Sequence, residues 1–114
     1  MTKEIVINPN CPISASIKII SGKWKTLILY HLFQGTKRFN ELEKLMPKVT
    51  QRMLIKQLRE LESYQIVKRK VYPVVPPKVE YSLTELGQTL KPVIDQLTKW
   101  GEDYINELQT IIDK

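Results

Sequence analysis

One stretch constrains this chain more than any other: KVTQRMLIKQLRELES, Lys48 to Ser63. Leu54, Leu58 and Leu61 recur at i, i+4 and i+7, the spacing of a single apolar stripe on a helix. At about 100° per residue, Arg52, Lys56, Arg59 and Ser63 fall on the opposite side. Thr50 stands where an N-cap belongs, and Pro47 ends whatever helix precedes it. Between Lys48 and Arg59 there are four cations and no acid. A helix docked by leucines, cationic outward, with Gln51 and Arg52 in its first turn, suits the major groove of DNA. Taken alone, the same pattern also describes an ordinary solvated face.

The flanking residues decide between the two. Upstream, Lys37, Arg38 and Phe39 read as a short extended piece. Asn40 with Glu43 then has the spacing of a capping box for a short helix. Leu42, Leu45 and Met46 mark its buried side, and a tight turn at 48–50 leads onward, so the pair reads as a helix-turn-helix. Downstream the period changes from helical to alternating. Val67, Arg69 and Val71 oppose Lys68, Lys70 and Tyr72; Val79, Tyr81 and Leu83 oppose Lys78, Glu80 and Ser82. Pro73, Pro76 and Pro77 between the two strands forbid a regular ladder at the tip, which should project as a loop. A cationic hairpin directly after a helix-turn-helix is a wing, and that order of elements favours DNA over a merely solvated surface.

The rest of the chain supplies a frame. Residues 1–10 read as an arm with an extended piece at Ile5 to Ile7. Pro12 at a first helical turn places Cys11 at the N-cap of a helix that Gly22 stops, with Ile13, Ile17 and Ile20 on one face. Lys23 to Gln34 is a second helix, apolar nearly all round and therefore a core or shared helix. Thr84 caps the last segment, where Leu86, Leu90, Val93, Ile94, Leu97, Trp100, Tyr104, Ile105, Leu108, Ile111 and Ile112 keep a helical period. Pro92 predicts a kink and Gly101 a second soft point. So much apolar surface marks a dimer interface, with Leu90, Ile94, Leu97, Trp100, Tyr104 and Leu108 its expected members. The alternative is that this helix packs only on its own body.

Composition narrows the function. The 114 residues suffice for one domain with its own core, 1–114, divided into the arm, the helix-turn-helix and wing at 38–83, and the dimerisation helix at 84–114. The net charge of +6 is uneven: residues 1–83 hold 15 Lys and Arg against 6 acids, and residues 84–114 hold 3 against 6. A basic body points to a polyanion, and an acidic end to a different task. One cysteine excludes an internal disulfide framework and a cysteine-rich zinc site and fits a reducing cytoplasm, and one histidine argues against a His-based metal site within one chain. No nucleophile–base pair and no glycine-rich phosphate loop argues for an enzyme, and no cofactor is implied. The segment MTKEIVINPN lacks the apolar core of a signal peptide, and no run is long enough to span a membrane. The expected architecture is α+β, mainly α: a winged helix-turn-helix with a C-terminal dimerisation helix.

Several motifs in one order then carry a resemblance. Cys11-Pro12, GKWK at Gly22 to Lys25, RFNEL at Arg38 to Leu42, TQRML followed by LRELE, VEYSLTELG at Val79 to Gly87 and Trp100-Gly101 look like the HxlR-type transcription regulators, winged-helix relatives of the MarR group. The resemblance covers about residues 11–104. It implies a homodimeric bacterial regulator on a palindromic operator, with Thr50, Gln51, Arg52 and Lys56 as contacts from the recognition helix and Arg69, Lys70 and Lys78 from the wing. Base readout then falls to Gln51, Arg52 and Lys56, and phosphate neutralisation to Lys48, Arg59, Arg69, Lys70 and Lys78.

Cys11 also matches the N-terminal cysteine that some family members use to sense electrophiles, diamide-like oxidants or quinones. Independently, the free amides and positive dipole end of a helix favour a thiolate at that place. A plain buried cysteine is the competing reading. Members that join two different cysteines need a second one, which this chain lacks. Oxidation here leads to a Cys11–Cys11′ bridge between subunits or a mixed disulfide with a small thiol, and an electrophile to direct alkylation. His31, Trp24 and Trp100 read as core or interface residues, with a small-molecule pocket beside the tryptophans as the alternative. A winged helix used on protein or RNA partners is the runner-up reading; the acid-free run of cations speaks against it.

Overall fold

The computed structural model describes residues 9–113. The expected extended piece at Ile5 to Ile7 lies outside them. Helix α1 (Pro12–Ile20) begins directly after Cys11, which occupies the N-cap position; its carbonyl accepts from Ala15 N–H at 3.0 Å. The helix ends at Ile20 because Ser21 is extended and Gly22 turns the chain at φ +100°, a conformation glycine adopts without strain. The isoleucines divide differently from expectation: Ile19 and Ile20 pack against the core, whereas Ile13 and Ile17 are exposed.

Helix α2 (Lys25–Leu32) is shorter than the apolar run that suggested it, with Trp24 and Phe33 as its flanking residues. Ile28, Leu29 and Leu32 are buried, but Leu27 and Tyr30 face outward, so the helix is apolar all round without being covered all round. Strand β1 (Lys37–Arg38) leads straight into α3 (Phe39–Leu45). Here the cap expected from Asn40 and Glu43 is absent. Pairing of Arg38 with Glu80 holds the chain extended, so the cap falls on Arg38 and the helix starts two residues earlier, and the Glu41 carboxylate accepts from Arg38 N–H at 2.8 Å. Leu42 and Met46 are buried as expected; Leu45 is exposed.

Helix α4 (Gln51–Ser63) comes after the tight turn, and its Leu54, Leu58 and Leu61 are completely buried. Each such burial contributes roughly 1.5–3 kcal/mol. The helix ends in a Schellman motif: Ile66 N–H reaches the Leu61 carbonyl at 3.1 Å and Gln65 N–H the Glu62 carbonyl at 3.0 Å. Gln65 takes the left-handed conformation, φ 64°, that this motif requires. That reversal sends the chain into β2 (Val67–Tyr72), which pairs antiparallel with β3 (Lys78–Leu83) in the register Val67↔Leu83, Arg69↔Tyr81, Val71↔Val79. β1 joins the other edge of β3, giving the order β1-β3-β2.

Thr84 fastens the hairpin to the C-terminal segment. Its hydroxyl donates to the Gln65 carbonyl at 2.7 Å and accepts from Gly87 N–H at 2.9 Å, capping the single-turn α5 (Glu85–Gln88). Only glycine fits at 87, since a Cβ there would collide with the Ile66 carbonyl. The kink expected near Pro92 is a complete break: α6 (Lys91–Ile112) starts afresh with Pro92 in its first turn. It continues unbroken through Gly101, where a soft point was expected. At about 33 Å this helix accounts for much of the 59 Å long axis.

Candidate nucleic-acid interface

The surface is built on the first turns of α4. Thr50 Oγ1 accepts from Met53 N–H at 3.1 Å, satisfying one free amide and fixing where the helix begins. With the leucine stripe sealed inside, Gln51, Arg52, Lys56 and Arg59 are left on the exposed side, and Lys48 is exposed in the turn before them. Amphipathic spacing alone therefore turns these cations outward.

The hairpin adds a second bank of charge, and its two faces differ. Arg69 shares a face with Val67 and Val71 and lies opposite Tyr81, to whose hydroxyl it donates. Lys68 and Lys70 point from the other face. Lys70 and Lys78 both lie over the Tyr72 ring, at 4.8 and 4.7 Å, and Lys78 pairs with Glu80 at 3.3 Å. A hydrogen bond from Tyr72, reinforced by Lys78, holds the Glu80 carboxyl below its ordinary range. The tip at 73–77 is exposed throughout.

Between α4, the start of α3 and the hairpin runs a cleft of about 700 Å³, walled by Arg38, Gln51, Arg59, Arg69 and Lys78 over Phe39, Ile55 and Tyr81. One acid lies in it. Burial pushes the Glu62 carboxyl up, while Arg69 and Arg59 pull it back. Burial likewise pushes the Tyr81 phenol up, against Arg69 beside it. Of the expected contacts, Gln51, Arg52, Lys56, Arg59 and Lys48 thus stand on or beside one helix, Arg69 faces the cleft, and Lys70 and Lys78 sit on the wing. Arg38 joins the cationic wall without a local sequence signal, because its place depends on β1 pairing across to β3.

A cationic helix beside a cationic hairpin, in this topology, has known counterparts. The profile of the family described as HxlR-like helix-turn-helix matches residues 19–109. The chain belongs to that family. Among relatives, it is 56% identical over 101 residues to the uncharacterized HTH-type transcriptional regulator YdeP of Bacillus subtilis, covering 89% of this chain and 79% of that one. Among solved structures, the redox regulator HypR in its reduced form superposes with a TM-score of 0.83 at 51% identity, over 88% of this chain and 99% of that one. The oxidized form of HypR gives 0.76 at 55% identity, over 82% and 96%.

As an HxlR-like protein the chain is a DNA-binding transcriptional regulator of the helix-turn-helix type, with the winged-helix fold and C-terminal helix of its MarR-like neighbours. Beyond the interface, Cys11 is a free thiol, half-buried, whose side chain makes no hydrogen bond that caps α1. Of the residues expected at a subunit interface, Ile94 is buried in the chain's own core and Leu90 packs against it. Leu97, Trp100, Tyr104 and Leu108 are exposed, with Trp100 stacked on Tyr104 at 5.3 Å. Trp24 lies half-buried under Lys23, and His31 sits edge-on to Tyr30 with its pKa lowered by burial and by Lys37. The cationic cleft lies at the wing and not beside the tryptophans. Among the described residues no cluster of metal-ligating side chains occurs, and no helix is long and apolar enough to cross a membrane.

Sequence reasoning missed Lys25. It is buried, and its ammonium binds Gln57 and Glu60 of α4. A charge at the start of an otherwise apolar helix was the available signal.

Proposed function

We propose that the protein acts as a homodimer on a palindromic operator, with α4 in the major groove and the hairpin along the flanking backbone. The observation that carries this reading is the sealed leucine stripe of α4, which leaves Gln51, Arg52, Lys56 and Arg59 exposed on one surface. Gln51, Arg52 and Lys56 read base edges; Lys48, Arg59, Arg69, Lys70 and Lys78 neutralise phosphates. Leu97, Trp100, Tyr104 and Leu108 of α6 supply the subunit contact, and pairing through them would set two copies of α4 about 34 Å apart. Support for the dimer is the long apolar stripe that the chain's own body leaves uncovered.

The test is selection of a preferred duplex from a random library, followed by titration across salt concentrations. Expected is a logarithmic fall of affinity with salt at a slope of roughly −0.9 per phosphate contact, with a two-chain stoichiometry. A shallow slope, or equal affinity for selected and random duplexes, overturns the reading in favour of a protein or RNA partner.

The signal we assign to the same regulator is oxidation or alkylation at Cys11. Its support is the half-exposed position at the head of α1 and the likeness to HypR, a redox regulator solved in both reduced and oxidized forms. Diamide treatment should link two chains through Cys11 or leave a mixed disulfide with an added small thiol, and weaken operator binding. Cys11→Ser should keep binding and lose the response; an unaltered response in that variant overturns the assignment.

A further inference from the structure

We infer that Lys25 is a positioning residue for the recognition helix: held by Gln57 and Glu60, it fixes the rotation of α4 and so sets how far the chain separates its operator from other DNA. The inference rests on the reading that α4 enters the groove, and adds to it a residue that touches no DNA.

Lys25 stands in a costly place on two counts. It is the first residue of α2, where a cation opposes the helix dipole. It is also only 5% exposed, where an ammonium must be paired. The pairing reaches across to α4: Nζ donates to Gln57 Oε1 at 2.7 Å and to Glu60 Oε2. Buried ion pairs add little stability over an apolar pair of similar volume, and their best-attested role is to fix one register among several.

The geometry of α4 says which register. Met53, Gln57 and Glu60 each follow an exposed cation in sequence, Arg52, Lys56 and Arg59, so the two rows lie one step, about 100°, apart around the helix. Gln57 Nε2 also donates to Met53 Sδ at 3.2 Å, which draws that row together. Leucines hold α4 against the core but tolerate repacking, whereas hydrogen bonds are directional. A roll of about 10° moves a side-chain tip on the helix surface by about 1 Å. That distance is enough to spoil a two-bond contact with a base edge while leaving phosphate attraction intact. The turn before α2 backs onto the same amide: a Cβ at Gly22 would lie 3.9 Å from Gln57 Oε1.

The test uses the full chain carrying Lys25→Met, and Lys25→Met with Glu60→Met. The double variant keeps the net charge, so its pull on phosphates and its salt slope should match the wild type. Thermal midpoint, affinity for the selected operator and affinity for a random duplex of equal length are measured. The single variant should be destabilised, and the double should regain the midpoint. The double should nevertheless lose about tenfold on the operator, the cost of one misplaced base contact, with random binding within about twofold. A double variant with the wild-type midpoint and the wild-type ratio of operator to random affinity overturns the inference. Should the double not fold, Lys25→Gln with Glu60→Gln, which also keeps the net charge, carries the same ratio test. A wild type with no preferred duplex would instead sink the groove reading itself.

Discussion

Helices α4 and α6 are written in the same amphipathic code and end up in opposite circumstances. Leu54, Leu58 and Leu61 of α4 lose all contact with solvent, and the helix turns a cationic face outward. In α6 only Ile94 is buried, while Leu97, Trp100, Tyr104, Ile105, Leu108, Ile111 and Ile112 remain 40–66% exposed. Charge follows the same division, with the basic excess before residue 84 and the acidic excess after it. An apolar stripe states only that something must cover it. Whether the covering surface belongs to the same chain depends on where the helix lies, and α6 leaves the body soon after Ile94.

The sharpest way to break this contrast is protein concentration. Leu58→Ala removes a fully enclosed side chain and should cost about 2–5 kcal/mol, unchanged by dilution, in urea unfolding. Trp100→Glu lies outside the core, so the chain should stay folded. Sedimentation should show the proposed pair replaced by single chains, and affinity for a two-half-site operator should fall by about 100-fold or more through lost avidity. If Trp100→Glu unfolds the chain at every concentration, α6 packs on its own body and the contrast disappears.

Within the basic half the division of labour is finer. Arg52→Ala should cost about 1–3 kcal/mol on the selected operator and little on random DNA. Lys70→Ala should weaken every duplex alike and lower the salt slope by about one contact. Equal losses from both variants on both duplexes would merge helix and wing into one undifferentiated charged surface. Thr50→Ala tests the scaffold beneath them: loss of the bond to Met53 N–H should lower stability by about 1 kcal/mol and fray the turn that carries Gln51 and Arg52.

How much of the fold is legible in the sequence depends on how local each cause is. The stripe of α4, its Thr50 cap and both wing strands depend on spacing within a few residues, and all were legible. The direction of Arg69 was legible too, since it shares the period-2 face of Val67 and Val71. The start of α3 was misplaced because Arg38 is held extended by a strand more than forty residues away. Lys25 escaped for the same reason: its partners Gln57 and Glu60 lie on another helix, and no periodicity within α2 reveals them. The helical period of α6 likewise showed a stripe without showing that Ile94 and the residues after it would face different surroundings.

The smallest expected effect concerns the one acid within the cationic cleft, and it tests whether that region is tuned for DNA at a cost to folding. Burial raises the Glu62 carboxyl pKa, against the opposing pull of Arg69 and Arg59. The folded chain therefore holds this proton more tightly than the unfolded chain does. The stabilisation that results is complete below the ordinary carboxylate range and is lost as pH rises through the raised value. Glu62→Gln should remove that dependence, which lies just above the ordinary carboxylate range. Because the site is partly exposed, the difference should be no more than about 0.5 kcal/mol. The same change deletes a negative charge between Arg59 and Arg69, so random-duplex affinity should rise slightly. An acid that limits indiscriminate attraction would then show itself as a variant that binds all DNA better and distinguishes operators less well. No change in random binding would place Glu62 with the packing of α4 against the hairpin, outside the electrostatics of the interface.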